Sequence, residues 1–300
     1  MSDKKPAIFQ QGGGGFLRIR LDVAYDGAPF SGWAIQPGLR TVQGTLEEAL
    51  ALMLRRPIRV TVAGRTDTGV HALGQVVHVD LLESEWAQMN RGAELDPAVA
   101  LLRRVRGAMS RGLRELSGSV EVRNAILAPD GFDARFSALW RRYSYRIADG
   151  DKLWDPLRRH VTLWHPRQLD VGSLNEAAQP LLGLQDFTSF CKPRPRATTV
   201  RELQRFEFTR EDDGVIRVDI QADAFCHNMV RALIGSAFQV GEGIEAPGWM
   251  YQRLQAKMRD ARSVLADPHP LVLEEVAYPT DSELRQRAEL TRARRHAVTP

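Results

Sequence analysis

Residues 41–54, TVQGTLEEALALML, put Val42, Leu46, Ala49, Leu50, Met53 and Leu54 on one face of a helix that starts at Thr41 and is stopped by Pro57. Before it, Phe16 to Tyr25 reads as a strand closed by the Asp26-Gly27 turn. After it, Ile58 to Val62 and Gln75 to Asp80 read as two short strands, the second with Val77 and Val79 alternating. An Arg-studded helix over Pro97 to Leu116 and a strand over Val120 to Ile126 complete the order β-α-β-β-α-β, the split motif of ferredoxin-like sheets.

A second half begins past the turn-rich Ala128-Pro129-Asp130-Gly131. Strands are expected at 137–147 and 161–164, a helix at 170–182, strands at 200–210 and 214–222, an apolar helix at 225–240 and a last strand at 271–276. Ile216, Val218, Ile220 and Ala222 alternate onto one side, and Asp213-Gly214 before them is a hairpin signal. The fold class is therefore α+β, with two ferredoxin-like (split β-α-β) halves sharing a mainly antiparallel central sheet. The expected division is a disordered leader at 1–15 ending in Gly12 to Gly15, an N-terminal domain at 16–130, a C-terminal domain at 131–280 and a charged tail at 281–300.

At 300 residues, with 43% apolar and 26% charged side chains, the chain is long enough for one large or two ordinary cores, so disorder of the whole is excluded. No segment approaches the roughly 18 uninterrupted apolar residues of a membrane span, and the start lacks a signal-peptide core, so a cytoplasmic protein is expected. Cys191 and Cys226 are too few for a disulfide framework, and each is expected to be a small buried apolar side chain. The formal charge is only +4, but Arg residues cluster at 101–114, at 135–146 and in the tail. The tail cluster reads as a solvated face. The cluster at 135–146 interleaves Arg135, Arg141 and Arg142 with Phe136, Trp140, Tyr143 and Tyr145, the mixture that phosphate contact and base stacking require.

The chemistry centres on AGRTDTGVH, residues 63–71. Asp-Thr-Gly invites an aspartic-protease reading, but that mechanism needs two carboxylates about 3 Å apart sharing a proton. The sequence holds no second copy, and Arg65, two residues before Asp67, opposes proton sharing by favouring the ionised form. The plain alternative is a turn residue between two strands. Against it stands Arg231, in the middle of a helix apolar on nearly every face: a buried guanidinium needs an anion, and Asp67 is the most economical partner. His71, His78, His227 and Cys226 match no zinc spacing and read as core or RNA-facing residues.

GRTDTGVHALGQVVHVD (64–80) resembles the catalytic loop of the tRNA pseudouridine synthase A family. The likeness continues through YDGAPFSGW (25–33), TVQGTLEEAL (41–50), ARFSALWRRYSYRI (134–147), LLGLQDFTSF (181–190), AFCHNMVRALIGSAFQVGEG (224–243) and VLEEVAYP (272–279), in the family's order. The resemblance implies isomerisation of uridine to pseudouridine at positions thirty-eight to forty of the tRNA anticodon stem-loop, by a homodimer, without metal or organic cofactor. By the same resemblance Asp67 is the catalytic aspartate, Tyr143 the tyrosine that stacks on the target base, Arg231 the arginine paired with the aspartate, and Arg65 and Arg135 basic residues that meet the RNA. Arg141, Arg142, His71 and His227 are further candidates for RNA contact. Thr68 stands where Ala is usual, Asp133 where His is frequent and Ala34 where Gln is frequent, and the Arg-rich region at 101–118 looks longer than usual. An RNA-binding module without activity, or a synthase with another RNA target, are the alternative readings.

Overall fold

The computed structural model describes residues 15–150, 153–194, 198–260 and 262–292. The expected leader up to residue 14 and the tail beyond Arg292 lie outside them. Among the described residues, ten strands form one sheet: β1 Phe16–Tyr25, β2 Thr61–Val62, β3 His71–Leu82, β4 Val120–Leu127, β5 Trp140–Asp149, β6 Leu163–His165, β7 Gly183–Asp186, β8 Val200–Arg210, β9 Ile216–Ala222 and β10 Leu271–Ala277. The order is β4-β1-β3-β10-β5-β9-β8-β7, with β2 added to β3 and β6 to β5. All pairings are antiparallel except β3 with β10 and β5 with β6. The result is a mixed α+β protein built on a large, mainly antiparallel sheet.

Alternation sorts the two faces. In β1, Ile19, Leu21 and Val23 are fully buried and join one core with Val42, Leu46 and Leu50 of helix α1 (Val42–Leu54) and with Leu101 and Val105 of α3 (Pro97–Leu113). Their neighbours Arg18 and Arg20 lie on the other face, paired with Asp80 and Asp22 at 2.8 and 2.9 Å. Thr41 caps α1 by accepting the Gly44 N–H at 3.2 Å, and Asp96 caps α3 by accepting from Ala98 and Val99, with Pro97 at the first helical position. A short helix, α2 (Glu83–Ala87), follows β3.

In the second half α4 spans Val171–Ala178, α5 Met229–Gly241, α6 Trp249–Ala256 and α7 Leu284–Arg292. The helix expected from residue 225 starts four residues later, because Asn228 adopts the left-handed φ of 66°. Phe225, Cys226 and His227 are consequently loop residues. Over 284–292 the tail forms helix α7, whose charged residues are mostly exposed, as a solvated face is expected to be, while one edge docks: Leu284 and Ala288 are buried, the Leu284 carbonyl accepts from Ser137 Oγ at 3.2 Å, and Arg285 and Arg292 pair with Asp130 and Asp133. No helix among the described residues is long and apolar enough to cross a membrane.

His78 on β3 is buried, and its Nδ1 accepts the Ala134 N–H at 3.0 Å, which favours the neutral ring. Burial, reinforced by the Arg18 guanidinium, pushes its pKa down to about 4. The unfolded chain then binds a proton that the folded chain refuses, so this contribution is complete above about pH 6.5 and is lost as pH falls toward 4. His78 alone is expected to remove about 2 kcal/mol between pH 7 and pH 5. Urea unfolding at the two pH values measures it, and an equal loss in His78→Gln would contradict the assignment.

Candidate active site

Asp67 lies on the loop between β2 and β3, which side chains from β1 and β3 and the backbone of the 26–33 segment hold in place. Gln75, fully buried, donates from Nε2 to the Gly64 carbonyl at 2.8 Å and to the Tyr25 hydroxyl at 3.2 Å. The Tyr25 hydroxyl and Thr66 Oγ1 are 2.8 Å apart, and the Trp33 N–H donates to the Thr66 carbonyl at 3.1 Å. Burial pushes the Tyr25 phenol up to about 12, so it stays protonated. The Val70 N–H closes a turn on the Asp67 carbonyl at 3.2 Å, with Gly69 at φ 79°, the conformation of the third residue of a type II turn. At Gly27 a Cβ would stand 2.1 Å from the Val70 carbonyl oxygen, so only glycine lets the two loops approach.

A second layer ties this loop to the other half of the chain. Arg141 of β5, 7% exposed, donates to the carbonyls of Ala63 and Arg135 at 2.9 Å each and of Asp223 at 2.8 Å. One guanidinium thus joins the start of the Asp67 loop, the Arg135 loop and the approach to α5. The 135 loop is further set by Asp133, whose Oδ1 accepts the N–H groups of Arg135 and Phe136 at 2.9 Å. Its position invites an altered RNA contact, yet this carboxylate serves as a cap.

From α5, Arg231 Nη1 reaches to 3.9 Å from Asp67 Oδ2, while its Nε donates to the Ala266 carbonyl at 2.7 Å. His227, in the loop before α5, brings Nε2 to 3.6 Å from Oδ1. Tyr143 of β5 is 8% exposed and meets the Phe225 ring edge-on at 5.4 Å. Burial first, then Tyr25 and Asp67, raise its phenol pKa well above the usual value. Asp67, Tyr143, Arg231 and His227, which are far apart in sequence, therefore converge on one point. The Cys191 and Cys226 sulfurs are bonded to each other, with Cα atoms 5.7 Å apart, which corrects their reading as separate apolar side chains.

These residues belong to blocks that run in order through nearly the whole chain, and comparison with known proteins covers the same extent. A family model described as tRNA pseudouridine synthase matches residues 177–279. A tRNA pseudouridine synthase A from Leifsonia xyli is 50% identical over 285 residues, 93% of this chain and 97% of that protein. One from Streptomyces griseus is 50% identical over 277 residues, covering 91% and 92%, and one from Mycobacterium leprae 46% identical over 280 residues, covering 92% and 94%. The chain belongs to the tRNA pseudouridine synthase A family.

In this member of the tRNA pseudouridine synthase A family the remaining candidates divide by where they point. Arg65 and Arg135 are exposed, and neither pairs with a carboxylate among the described residues. Burial lowers the Arg65 pKa, and so does the repulsion of Arg135, Arg194 and Arg59, the last of which pairs with Glu47 at 3.3 Å. Arg65 thus stands among these cations; the groups within ion-pair range of Asp67 are Arg231 and His227. Arg142 pairs with Glu275 at 2.6 Å and lies over Trp140. Arg141 and His71 are buried and engaged within the fold. Arg141 is committed to three carbonyls, and His71, 6% exposed, accepts the Gly27 N–H at Nδ1 while Nε2 lies 3.0 Å from the His160 carbonyl.

Tyr25, Gln75 and Thr66 were not singled out in the sequence, where a buried tyrosine, glutamine and threonine carry no spacing signal. Gly27→Ala is expected to destabilise the protein by about 2 kcal/mol, because the methyl group must push the backbone of the Asp67 loop away. Denaturant unfolding reads the change, and a Gly27→Ala protein as stable as the wild type would show that the approach of the two loops is not tight.

Proposed function

We propose that this protein isomerises uridine to pseudouridine in tRNA, at positions thirty-eight to forty of the anticodon stem-loop, with Asp67 as the reacting carboxylate. The observation that carries the reading is the convergence of one carboxylate, one guanidinium and one nearly buried tyrosine beside the exposed cations Arg65 and Arg135, which have no carboxylate partner among the described residues. During the reaction uracil leaves C1′ of its ribose, rotates, and rejoins through C5. The site must therefore supply an anion beside C1′, a surface that retains the free base, and contacts that hold the RNA.

Asp67 supplies the anion, either attacking C1′ or removing a ribose proton, and Arg231 Nη1, 3.9 Å from its Oδ2, orients it. Tyr143, kept protonated by burial, is better suited to stacking on the flipped base than to acting as a resting base. Arg65, Arg135 and Arg194 bind phosphates and offset the few kcal/mol needed to unstack a uridine. Neither a metal nor an organic cofactor is needed for these steps, and we expect a cytoplasmic homodimer. The strand orders β4-β1-β3-β2 and β10-β5-β9-β8 support two ferredoxin-like halves, at 16–130 and 131–280.

Pseudouridine formation in unmodified tRNA, mapped by position, tests the proposal. Wild type is expected to form product in the anticodon stem-loop, and Asp67→Ala to lose at least about a thousandfold in rate at similar tRNA affinity. Tight binding without product from the wild type would favour a silent RNA-binding module, and product elsewhere would point to another target.

A further inference from the structure

His227 stands on the opposite carboxylate oxygen from Arg231, in a stretch of backbone fixed on three sides. Cys226, one residue before it, is bonded to Cys191. Asn228, one residue after it, takes the left-handed turn that starts α5. Its own carbonyl accepts the Lys192 N–H at 2.8 Å. The ring is thereby directed at Asp67, with Nε2 at 3.6 Å from Oδ1. Its Nδ1 is buried and has no hydrogen-bond partner among the described residues. That separation is just beyond a hydrogen bond, and contacts of this kind in unliganded sites commonly shorten once substrate is seated.

We propose that His227 is a positioning residue for the Asp67 carboxylate, donating from Nε2 to Oδ1 in the complex with tRNA while Arg231 holds Oδ2. The inference rests on the reading of Asp67 as the reacting group. Two points of attachment fix the carboxylate plane, which a single cation at 3.9 Å leaves free to turn. Burial lowers the His227 pKa, and the nearby cations Arg194, Lys192 and Arg259 lower it further against the opposing pull of Asp67. At neutral pH the ring is consequently an uncharged donor that orients the carboxylate without pairing with it as a second cation. The contrasting role for a half-buried histidine in this place is a tRNA contact, which would act on binding.

The two roles separate in kinetics. Single-turnover and steady-state rates on unmodified tRNA would be measured for wild type, Asp67→Ala, His227→Ala and His227→Gln, with unfolding midpoints to verify that each is folded. His227→Ala is expected to lower kcat about 10- to 100-fold with KM unchanged, and His227→Gln, which keeps an N–H donor, to recover most of that loss. A raised KM with unchanged kcat, equal losses in the two His227 variants, or wild-type rates in both would overturn the positioning role. Product from Asp67→Ala would instead overturn the underlying reading of Asp67, so the two failures are distinct.

Discussion

The Arg141 guanidinium reaches from β5 to the backbone carbonyls of three separate loops, and the geometry of the site depends on it. Those loops carry Asp67, Arg135 and the approach to α5, whose side chains come from opposite ends of the chain. An interior cation is costly, and burial lowers the Arg141 pKa against the opposing pull of nearby groups that include Asp223. Three carbonyl acceptors offset the cost, and they do so without adding a negative charge beside Asp67. Tyr25, Gln75 and the Trp33 backbone N–H then hold the residues immediately before Asp67, so the backbone that leads into the carboxylate is pinned.

Charge is distributed by depth. Arg141 is consumed internally, Arg231 stands next to the carboxylate, and Arg65, Arg135 and Arg194 remain outside with no carboxylate partner among the described residues. A polyanion approaching those cations would release counterions there before reaching the Asp67 carboxylate. For the proposed reaction this ordering separates holding the RNA from attacking one ribose.

Much of the architecture is legible in local patterns. The apolar face of α1 with its Thr41 cap, the alternation of β9 and the turn at Asp213-Gly214 all appear close to where the residues suggest. The start of α5 is misread because Phe225 continues the apolar pattern, whereas the left-handed Asn228 that ends it has no periodic signature. Helix α7 is missed because a charge-rich segment conceals the pair Leu284 and Ala288 that docks it. The charge argument links Asp67 to Arg231, which lie 3.9 Å apart, yet the same argument applied to Arg141 would have marked it as buried. It sits two residues before Tyr143 on a strand, hence on the same inward face, and that period was the available signal. The Cys191–Cys226 bond and the parallel join of β3 to β10 depend on tertiary approach across long separations, which spacing does not encode.

The most direct test of the central claim, that one carboxylate acts while a single guanidinium holds it aligned, is the single-turnover rate of Arg231→Gln on saturating tRNA. The expected result is a loss of at least about a hundredfold in the chemical step with tRNA affinity nearly unchanged. Weakened tRNA binding with an undiminished step at saturation would show that Arg231 serves the RNA instead of Asp67, and would contradict the claim.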